Sequence, residues 1–309
     1  MRAIAIDRYG GPEVLELREL PTPKVGPDVV LVRARAAGVN PVDTKTREGG
    51  LDGRFPAHFP LIPGWDVAGT VEAVGPDVTE FAPGDEVIGY VRRDHVQWGT
   101  YAEYVAAPIR TVAPKPAEVG WAEAAALPLA GLTAWQALTR GLKVGHGDVV
   151  LVHAAAGGVG SFAVQLARLF GATVIGTASE GTHDYLRSLG AEPVAYGAGL
   201  VERVRALAPD GVTAALDLVG GDALEVSPQL LATGGRIASV LDPKKTTELG
   251  GRYIFVRPDP SQLAELSRLV DDGRLTVRLE RTFPLDDAAG AQRLIEAGHV
   301  HGKLALEIG

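Results

Sequence analysis

Hydrophobic residues follow two different patterns along the chain. Over roughly the first hundred residues, short apolar runs are separated by glycine and proline, which predicts a small β-barrel of short strands and tight turns. Three of these runs are Val29–Ala34, Gly69–Val74 and Glu86–Ile88. The pentapeptide Val-Gly-Pro-Asp-Val occurs at 25–29 and again at 74–78, and proline followed by aspartate favours a type I turn between strands.

From Trp121 onwards the sequence becomes alanine-rich and helical, and strand-like runs then alternate with helix-like runs. This alternation is typical of a doubly wound parallel sheet of the Rossmann type, so the predicted fold class is α/β with an added β-barrel domain. The predicted strands are Val149–Val152, Thr173–Thr177, Pro193–Ala195, Thr213–Val219, Arg236–Val240 and Arg252–Val256. The predicted helices are Val159–Phe170, Thr182–Leu189, Leu200–Leu207 and Asp222–Leu230.

A shorter pattern follows Pro258 and predicts helix, strand, helix and terminal strand. These elements are Ser261–Asp272, Leu275–Glu280, Asp286–Glu296 and Lys303–Ile308. The segment is too short for a domain of its own, so we expect it to return to the N-terminal part. We therefore divide the chain into residues 1–119, 120–257 and 258–309.

The segment from Val149 to Gly160 carries the most informative local pattern. A β-branched run leads into small residues and then into apolar residues at helical spacing. This order predicts a helix whose free N–H groups bind an anion such as a pyrophosphate. Ala155 replaces the first glycine of Gly-x-Gly-x-x-Gly, so an ordinary βα turn is the alternative for the glycines taken alone. The strand predicted at 173–177 completes the βαβ unit that the motif requires.

Composition narrows the possible functions. The 309 residues carry a formal net charge of −8 and show no basic stripe, which argues against a nucleic-acid partner. The absence of cysteine excludes disulfides and thiolate metal ligands. The N-terminal residues lack the apolar core of a signal peptide, and no apolar run is long enough to span a membrane, so we expect a cytoplasmic protein without a membrane partner.

Five motifs resemble those of medium-chain dehydrogenases/reductases, and in particular the quinone oxidoreductase and alkenal reductase branch that works without zinc. They are Ala37–Asp43, Pro63–Gly69, Pro83–Val87, Leu127–Ala134 and Ala154–Gly160. The resemblance runs over nearly the whole chain. It implies a GroES-like barrel, a Rossmann domain, and a coenzyme held in the cleft between them.

The resemblance also bears on zinc. Zinc alcohol dehydrogenases of this fold have cysteine where this chain has Asn40, and His-Glu where it has Trp65-Asp66. Asparagine and tryptophan do not supply a tetrahedral zinc site, so we expect no metal and disfavour alcohol dehydrogenase chemistry. His299 and His301 are interpreted as part of a polar loop, with half a metal site as the alternative.

The expected coenzyme is NADPH rather than NADH. NAD-specific sites usually carry an acid at the end of the second strand, where this chain has Thr177-Ala178-Ser179. The resemblance makes Ser179 a contact of the 2′-phosphate and places His183 where quinone oxidoreductases often have lysine, with Tyr196 over the same group. Glu180 is an acid close to this position and would oppose a bound phosphate. The alternative interpretation of His183 is an exposed helix residue without a role in binding.

Further contacts are implied by the resemblance alone. They are Asn40, Thr133, Leu218, Leu241, Phe255, Val256 and Lys303. The other expected coenzyme-binding residues are Ala156, Gly157, Gly158, Val159 and Gly160 of the turn, and Ser179, His183 and Tyr196. The alternative for Leu218 and Phe255 is a purely structural role in the core of the sheet. The alternative for Lys303 is a solvated charge on the surface.

The expected chemistry is hydride transfer to a quinone, enone or alkenal, with hydrogen-bond donors stabilising the charge on the carbonyl oxygen. The candidate donors are the amide of Asn40 and the ammonium of Lys45, and Lys45 as a solvent-exposed cation is the alternative. Two other functions stay open: a catalytically weak NADPH-binding protein with a regulatory or structural role, and an enoyl-thioester reductase. We expect a homodimer formed through the edge strand at Arg252–Val256.

Overall fold

The chain divides into two compact units. One contains residues 1–129 and 257–309, and the other contains residues 130–256. The computed structural model describes residues 1–298 and 300–309. The division at 129/130 differs from the expected boundary at 119/120, because the helix Trp121–Ala126 packs against strands of the first unit.

The first unit is rich in strands. Its strands are β1 (Arg2–Ala5), β2 (Glu16–Glu19), β3 (Val29–Val39), β4 (Ala57–Ile62), β5 (Asp66–Val74), β6 (Glu86–Tyr90), β7 (Val96–Trp98), β8 (Tyr104–Pro108), β9 (Val112–Pro114), β16 (Leu279–Pro284) and β17 (Lys303–Glu307). Its helices are α1 (Pro41–Arg47), α2 (Trp121–Ala126), α9 (Pro260–Asp271) and α10 (Ala288–Glu296).

The main sheet of the first unit pairs its strands in the order β16-β17-β3-β5-β6-β9, and β8 also pairs with β3. Closure of this sheet into a barrel stays a prediction. The terminal strand β17 lies in the interior of the sheet, as expected for a tail that returns to the N-terminal part. The two Val-Gly-Pro-Asp-Val repeats lie side by side, since the Asp77 amide donates to the carbonyl of Pro27 at 3.0 Å.

The register of the sheet brings residues from distant parts of the sequence to one end of β3. Gly38 pairs with Asp66 on β5, and Val39 pairs with Leu304 on β17. A Cβ at Gly38 would lie 3.0 Å from the Cβ of Asp66 and even closer to the carbonyl oxygen of Ala125, so only glycine allows this approach. The residues that follow and flank these pairs form the candidate site described below.

The second unit is a doubly wound parallel sheet, which confirms the predicted α/β class. Its strands are β10 (Val149–Val152), β11 (Thr173–Ala178), β12 (Glu192–Ala195), β13 (Val212–Asp217), β14 (Leu231–Ser239) and β15 (Arg252–Tyr253), in the order β12-β11-β10-β13-β14-β15. Its helices are α4 (Gly158–Leu169), α5 (His183–Ser188), α6 (Leu200–Leu207), α7 (Gly221–Leu230) and α8 (Pro243–Glu248). Helix α3 (Pro128–Gln136) spans the division and continues into a π-helical turn, Ala137–Leu142. The strand order reverses between β10 and β13, where ligands bind in such sheets.

Several predicted element bounds are wrong. Strand β16 covers 279–284 instead of 275–280, because Leu275 donates its N–H to Leu269 and closes the end of α9. Strand β15 ends at Tyr253 instead of Val256, and Pro258 and Pro260, which lack an N–H, follow soon after. Strand β14 begins at Leu231, directly after α7, five residues before its predicted start at Arg236.

Candidate functional site

The turn between β10 and α4 is fastened to the neighbouring strand β11. The amide of Ala154 donates to the Thr177 hydroxyl at 3.1 Å, and the amide of Ala155 donates to the Thr177 carbonyl at 3.0 Å. Ala154 has φ of 51°, in the left-handed region that favours glycine. These bonds hold a non-glycine residue in that conformation and fix where α4 begins.

Gly160 allows the helix to approach the turn closely. A Cβ at this position would lie 2.7 Å from the Cα of Ala155 and closer still to the carbonyl oxygen of Ala154. At Gly157 a Cβ would lie 3.3 Å from the same oxygen, which is a milder restriction. The tight packing expected of the last glycine in the motif is therefore present at Gly160.

The start of α4 offers free hydrogen-bond donors. Among the described residues, no acceptor is found for the backbone N–H groups of Ala156, Gly158, Val159 and Gly160. Gly157, Gly158 and Val159 are only half-buried. Free N–H groups at the positive end of a twelve-residue helix fit an anionic diphosphate.

The end of β11 brings small polar side chains together. The hydroxyls of Ser179 and Thr182 lie 3.4 Å apart, and the Nε2 atom of His183 is buried without a hydrogen-bond partner in the described part of the chain. Tyr196, beyond β12, is 60% exposed. Arg203, which the sequence analysis missed, donates to the carbonyl of Ala195 at 3.0 Å and steadies the loop that carries Tyr196.

The later strands carry apolar residues at their carboxyl ends. Leu218 is half-buried, Leu241 and Phe255 are exposed, and Val256 is buried. Thr133, on α3, is also buried.

Asp217, a second residue that the sequence analysis missed, is fully buried at the end of β13. It accepts the N–H of Val219 at 3.0 Å and the Ser239 hydroxyl at 2.6 Å. His153, at the end of β10, lies 3.1 Å from the Ser227 hydroxyl, and burial lowers its pKa to about 4. Both residues stabilise the carboxyl edge of the sheet, and His153 is neutral at physiological pH.

In the first unit, Asn40 is the centre of a buried polar network. Its backbone N–H donates to Oδ2 of Asp43 at 2.9 Å, and its Nδ2 donates to Oδ2 of Asp66 at 2.9 Å. The ammonium of Lys303 donates to Oδ1 of Asn40 and, at 2.9 Å, to the carbonyl of Val39. The sequence analysis named Asn40 and Lys303 as coenzyme contacts, and the structure brings them together.

Burial shifts the ionisation of this network. Asn40, Asp43, Asp66 and Lys303 are each at most 4% exposed. Burial raises the pKa of Asp43 and of Asp66 to about 7, and the Lys303 ammonium opposes the shift at both. Burial also lowers the pKa of Lys303, against the attraction of the two carboxylates. Perturbed groups clustered in this way are typical of functional sites.

Tyr101 and Arg47 extend the network away from Asn40. The Tyr101 hydroxyl donates to Asp43 at 2.9 Å, and burial raises the pKa of Tyr101 well above its ordinary value. Arg47, fully buried, donates to Gln292 at 2.7 Å and pairs with Glu296 at 2.5 Å. The sequence analysis missed these residues, because Arg47 and Gln292 are buried only where α10 packs against α1, and Tyr101 only where its segment lies against β1.

Lys45 and Trp65 differ in their surroundings. Lys45, on α1, is exposed, and its side chain has no polar partner among the described residues. Trp65 is 7% exposed and packs against Tyr90, with ring centroids 6.0 Å apart, and against Phe55 at 6.2 Å. The structure therefore places Trp65 in a buried aromatic cluster and leaves Lys45 outside the network around Asn40.

Within residues 1–298 and 300–309, no group of three or more His, Asp or Glu side chains could hold a metal ion. His301 is half-buried, and His299 lies outside the described residues. No helix of the described chain is both long and apolar enough to cross a bilayer.

Residues 26–117 match the alcohol dehydrogenase GroES-like domain, and residues 189–306 match the zinc-binding dehydrogenase family. The chloroplast envelope quinone oxidoreductase homolog of Arabidopsis thaliana is 34% identical over 99% of this chain and 98% of its own length. The chloroplastic NADPH-dependent alkenal/one oxidoreductase of the same plant is 33% identical over 99% of this chain and 79% of its own length.

Three solved structures share the whole fold. The quinone oxidoreductase of Coxiella burnetii superimposes with a TM-score of 0.88, 37% identity, and coverage of 100% of this chain and 99% of that one. A protein named NAD-dependent alcohol dehydrogenase superimposes with a TM-score of 0.90 and 37% identity, and both chains are covered completely. A mycobacterial protein complexed with NADPH superimposes with a TM-score of 0.87 and 32% identity, again with complete coverage of both chains.

Proposed function

We propose that this chain, which belongs to the medium-chain dehydrogenase/reductase superfamily, transfers hydride from NADPH to quinones or α,β-unsaturated carbonyl compounds without zinc. The observation that carries the proposal lies at the start of α4. Backbone N–H groups are free there, and Gly160 lets the helix pack closely against the turn at Ala154 and Ala155. This arrangement fits the diphosphate of a dinucleotide. Ala156 through Gly160 would hold it.

The proposed preference for NADPH rests on the end of β11. Ser179 stands where an NAD-specific site usually has an acid, and the unpartnered Nε2 of His183 lies nearby in sequence. Two of the similar proteins are named or solved with NADPH, whereas one is named for NAD. Tyr196, Leu218, Leu241, Phe255, Val256 and Thr133 would complete the coenzyme contacts.

The proposed chemistry needs a donor for the substrate oxygen. The bound nicotinamide supplies the hydride, and the charge that then develops on the carbonyl oxygen requires a hydrogen bond. Asn40 has one Nδ2 hydrogen beyond the one given to Asp66. Because Asn40 is 1% exposed, we expect the residues that cover it to move when substrate binds. Lys45 stands outside this network and is the weaker candidate.

The proposal of zinc-free chemistry rests on the donor set around Asn40. Trp65 offers no metal ligand, and both oxygens of Asp66 are engaged, one by Asn40 and one by the N–H of Leu129 at 2.9 Å. A tetrahedral zinc site needs several free nitrogen, sulfur or carboxylate donors at one point. The matching family is named for zinc binding, but the chemistry proposed for this member does not use zinc.

The decisive experiment is steady-state oxidation of NADPH with a panel of quinones, enones, alkenals and enoyl thioesters. The proposal expects turnover with quinones or enones, unchanged after treatment with a chelator. Preference for the thioesters would favour an enoyl-thioester reductase. Tight NADPH binding without turnover on any acceptor would favour a binding protein with a regulatory or structural role. Loss of activity to the chelator would overturn the zinc-free mechanism.

The proposed assembly is a homodimer. Strand β15 forms one edge of the Rossmann sheet, with two residues in the ladder, and an edge strand presents unpaired N–H and C=O groups. A second copy could extend the sheet across a two-fold axis. Sedimentation velocity tests this proposal, and a monomer at micromolar concentration would contradict it. A cytoplasmic location likewise stays a prediction.

A further inference from the structure

Three ionisable side chains from separate parts of the sequence converge on one residue. Asp43 accepts the backbone N–H of Asn40, Asp66 accepts its Nδ2, and Lys303 donates to its Oδ1. Each is buried, and burying charged groups is costly unless they are paired and hydrogen-bonded. Asp43 contacts the backbone as the capping residue of α1, but the placement of Asp66 and Lys303 on the side-chain amide calls for an explanation beyond the packing of the sheet.

The two side-chain contacts fix the Asn40 carboxamide in one orientation. An ammonium only donates hydrogen bonds, so the group facing Lys303 has to be Oδ1. An ionised carboxylate only accepts, so in that state the group facing Asp66 has to be Nδ2. A rotation of the amide by half a turn would place NH₂ against NH₃⁺ and oxygen against oxygen, so each neighbour opposes the flip independently.

The same contacts leave one donor unused. The Asn40 nitrogen has two hydrogens, and the described residues offer an acceptor only for the one that Asp66 takes. A cation at Oδ1 draws electron density from the amide, which makes the remaining N–H a stronger donor, as in other chains of hydrogen bonds. The network therefore prepares a single polarised N–H.

We propose that Lys303 and Asp66 are positioning residues that act through Asn40, holding one polarised N–H towards the substrate oxygen. The inference rests on the proposed function. It gives Lys303 a role different from the coenzyme contact that the family resemblance implies: its ammonium is held by Asn40 and by the Val39 carbonyl. It also gives Asp66 a role in this chain that does not involve a metal.

A double-mutant cycle tests the inference. The variants are Lys303→Met, Asp66→Asn, Asn40→Ala and the two doubles that combine Asn40→Ala with each of the others. Controls are Lys24→Met and Asp77→Asn, since both side chains are exposed and have no polar partner among the described residues. The readouts are kcat and KM with the best acceptor, and the Kd of NADPH from fluorescence titration.

The positioning role predicts a specific pattern. Each single variant at Lys303 and Asp66 lowers kcat by about 10–100-fold. Losses of this size are usual when a residue that orients a metal-binding side chain is removed, and Asn40 is oriented in the same way. The Kd of NADPH changes less than about threefold, because the proposed diphosphate site is formed by Ala156 through Gly160. In the Asn40→Ala background, the second substitution has no further effect on kcat, because the side chain through which Lys303 and Asp66 act has been removed.

The remaining outcomes overturn the inference. A rise of about tenfold or more in the Kd of NADPH for Lys303→Met would assign Lys303 to direct coenzyme binding. Multiplicative losses in the double variants would show that Lys303 and Asp66 act independently of Asn40. If Lys303→Met fails to fold, Lys303→Gln, which removes the charge but keeps a polar side chain, replaces it in the cycle and in the NADPH titration. Wild-type protein without turnover would instead reject the proposed function.

Discussion

The carboxamide nitrogen of Asn40 lies 2.9 Å from Oδ2 of Asp66, and both residues are almost completely buried. The two are 26 positions apart in sequence and meet because Gly38 and Asp66 are paired across β3 and β5. A carboxylate in this position receives two N–H groups, from Asn40 and from Leu129, yet it is cut off from water. Its ionisation is therefore coupled to folding.

The contribution of Asp66 to stability should fall as pH rises towards neutrality. Burial raises the pKa of Asp66 to about 7, whereas an aspartate in an unfolded chain has a pKa of about 3.9. Between these values Asp66 binds more protons in the folded state than in the unfolded chain, so its contribution to the free energy of unfolding decreases with increasing pH. The stabilisation is complete below pH ~4 and is lost as the pH passes ~7.

Asp66→Asn cannot ionise and should remove this share of the pH dependence. We expect its melting temperature to change less between pH 5 and pH 8 than that of the wild type, by differential scanning fluorimetry. Asp77→Asn, at an exposed position, should follow the wild type. Equal slopes in Asp66→Asn and wild type would show that Asp66 does not titrate in this range.

Gly160→Ala should weaken the coenzyme site. The new Cβ would overlap the backbone of Ala154 and Ala155, so α4 has to shift away from the turn. We expect a loss of about 1–3 kcal/mol in stability, as for other overpacked sites, and a weaker binding of NADPH in calorimetry. Gly145→Ala is the matched control, since a Cβ there meets nothing within 4 Å. Equal affinities in the two variants would contradict the assignment of this turn to the diphosphate.

Ser179→Asp should reverse the preference between coenzymes. A carboxylate at the end of β11 would repel the 2′-phosphate of NADPH and accept a hydrogen bond from the 2′-hydroxyl of NADH. We expect the ratio of kcat/KM for NADPH over NADH to fall by about tenfold or more, since like charges at a binding site cost several kcal/mol. Ser188→Asp, on exposed α5 surface, adds the same charge outside the site and should leave the ratio unchanged.

Arg47→Met should destabilise the first unit strongly. Its guanidinium donates to Gly10, Gln292 and Glu296, and its loss leaves these acceptors unpaired around a buried site. The Glu296 side chain is 30% exposed and can be hydrated, but leaving the buried acceptor Gln292 unsatisfied typically costs about 1–3 kcal/mol, which urea unfolding would detect. Arg8→Met, at an exposed position without a polar partner among the described residues, should change stability by less than about 0.5 kcal/mol.

The sequence predicted the Rossmann sheet well because its signals are local. The run Val149–Val152, the glycines that follow and the apolar face of α4 lie within about twenty residues, so periodicity and turn chemistry identify them together. Strand β16 was placed four residues too early because Leu275 belongs to the close of α9, a contact that depends on where the helix ends. Helix ends are among the least certain features of any sequence pattern.

The candidate site was predicted only in part, for a different physical reason. Asn40 and Lys303 stood out through the family resemblance, but nothing in the sequence shows that one holds the other. Asp43, Tyr101 and Gln292 look like ordinary polar residues until strand pairing and the packing of α10 bury them. Long-range register decides which polar residues meet, and that register is set by the whole sheet.

The interior position of β17 has a consequence for biosynthesis. Until residues 303–307 have left the ribosome, only residues 36–39 of β3 lack a neighbour on the edge that β17 covers, because β8 pairs with Val29–Arg33 on that edge. All of 130–256 has already been made by then. A nascent chain with an unpaired apolar strand end is prone to misassociate, and chaperones commonly hold such intermediates. Shortening the chain by its last seven residues should therefore yield aggregated protein in cells rather than a smaller folded one.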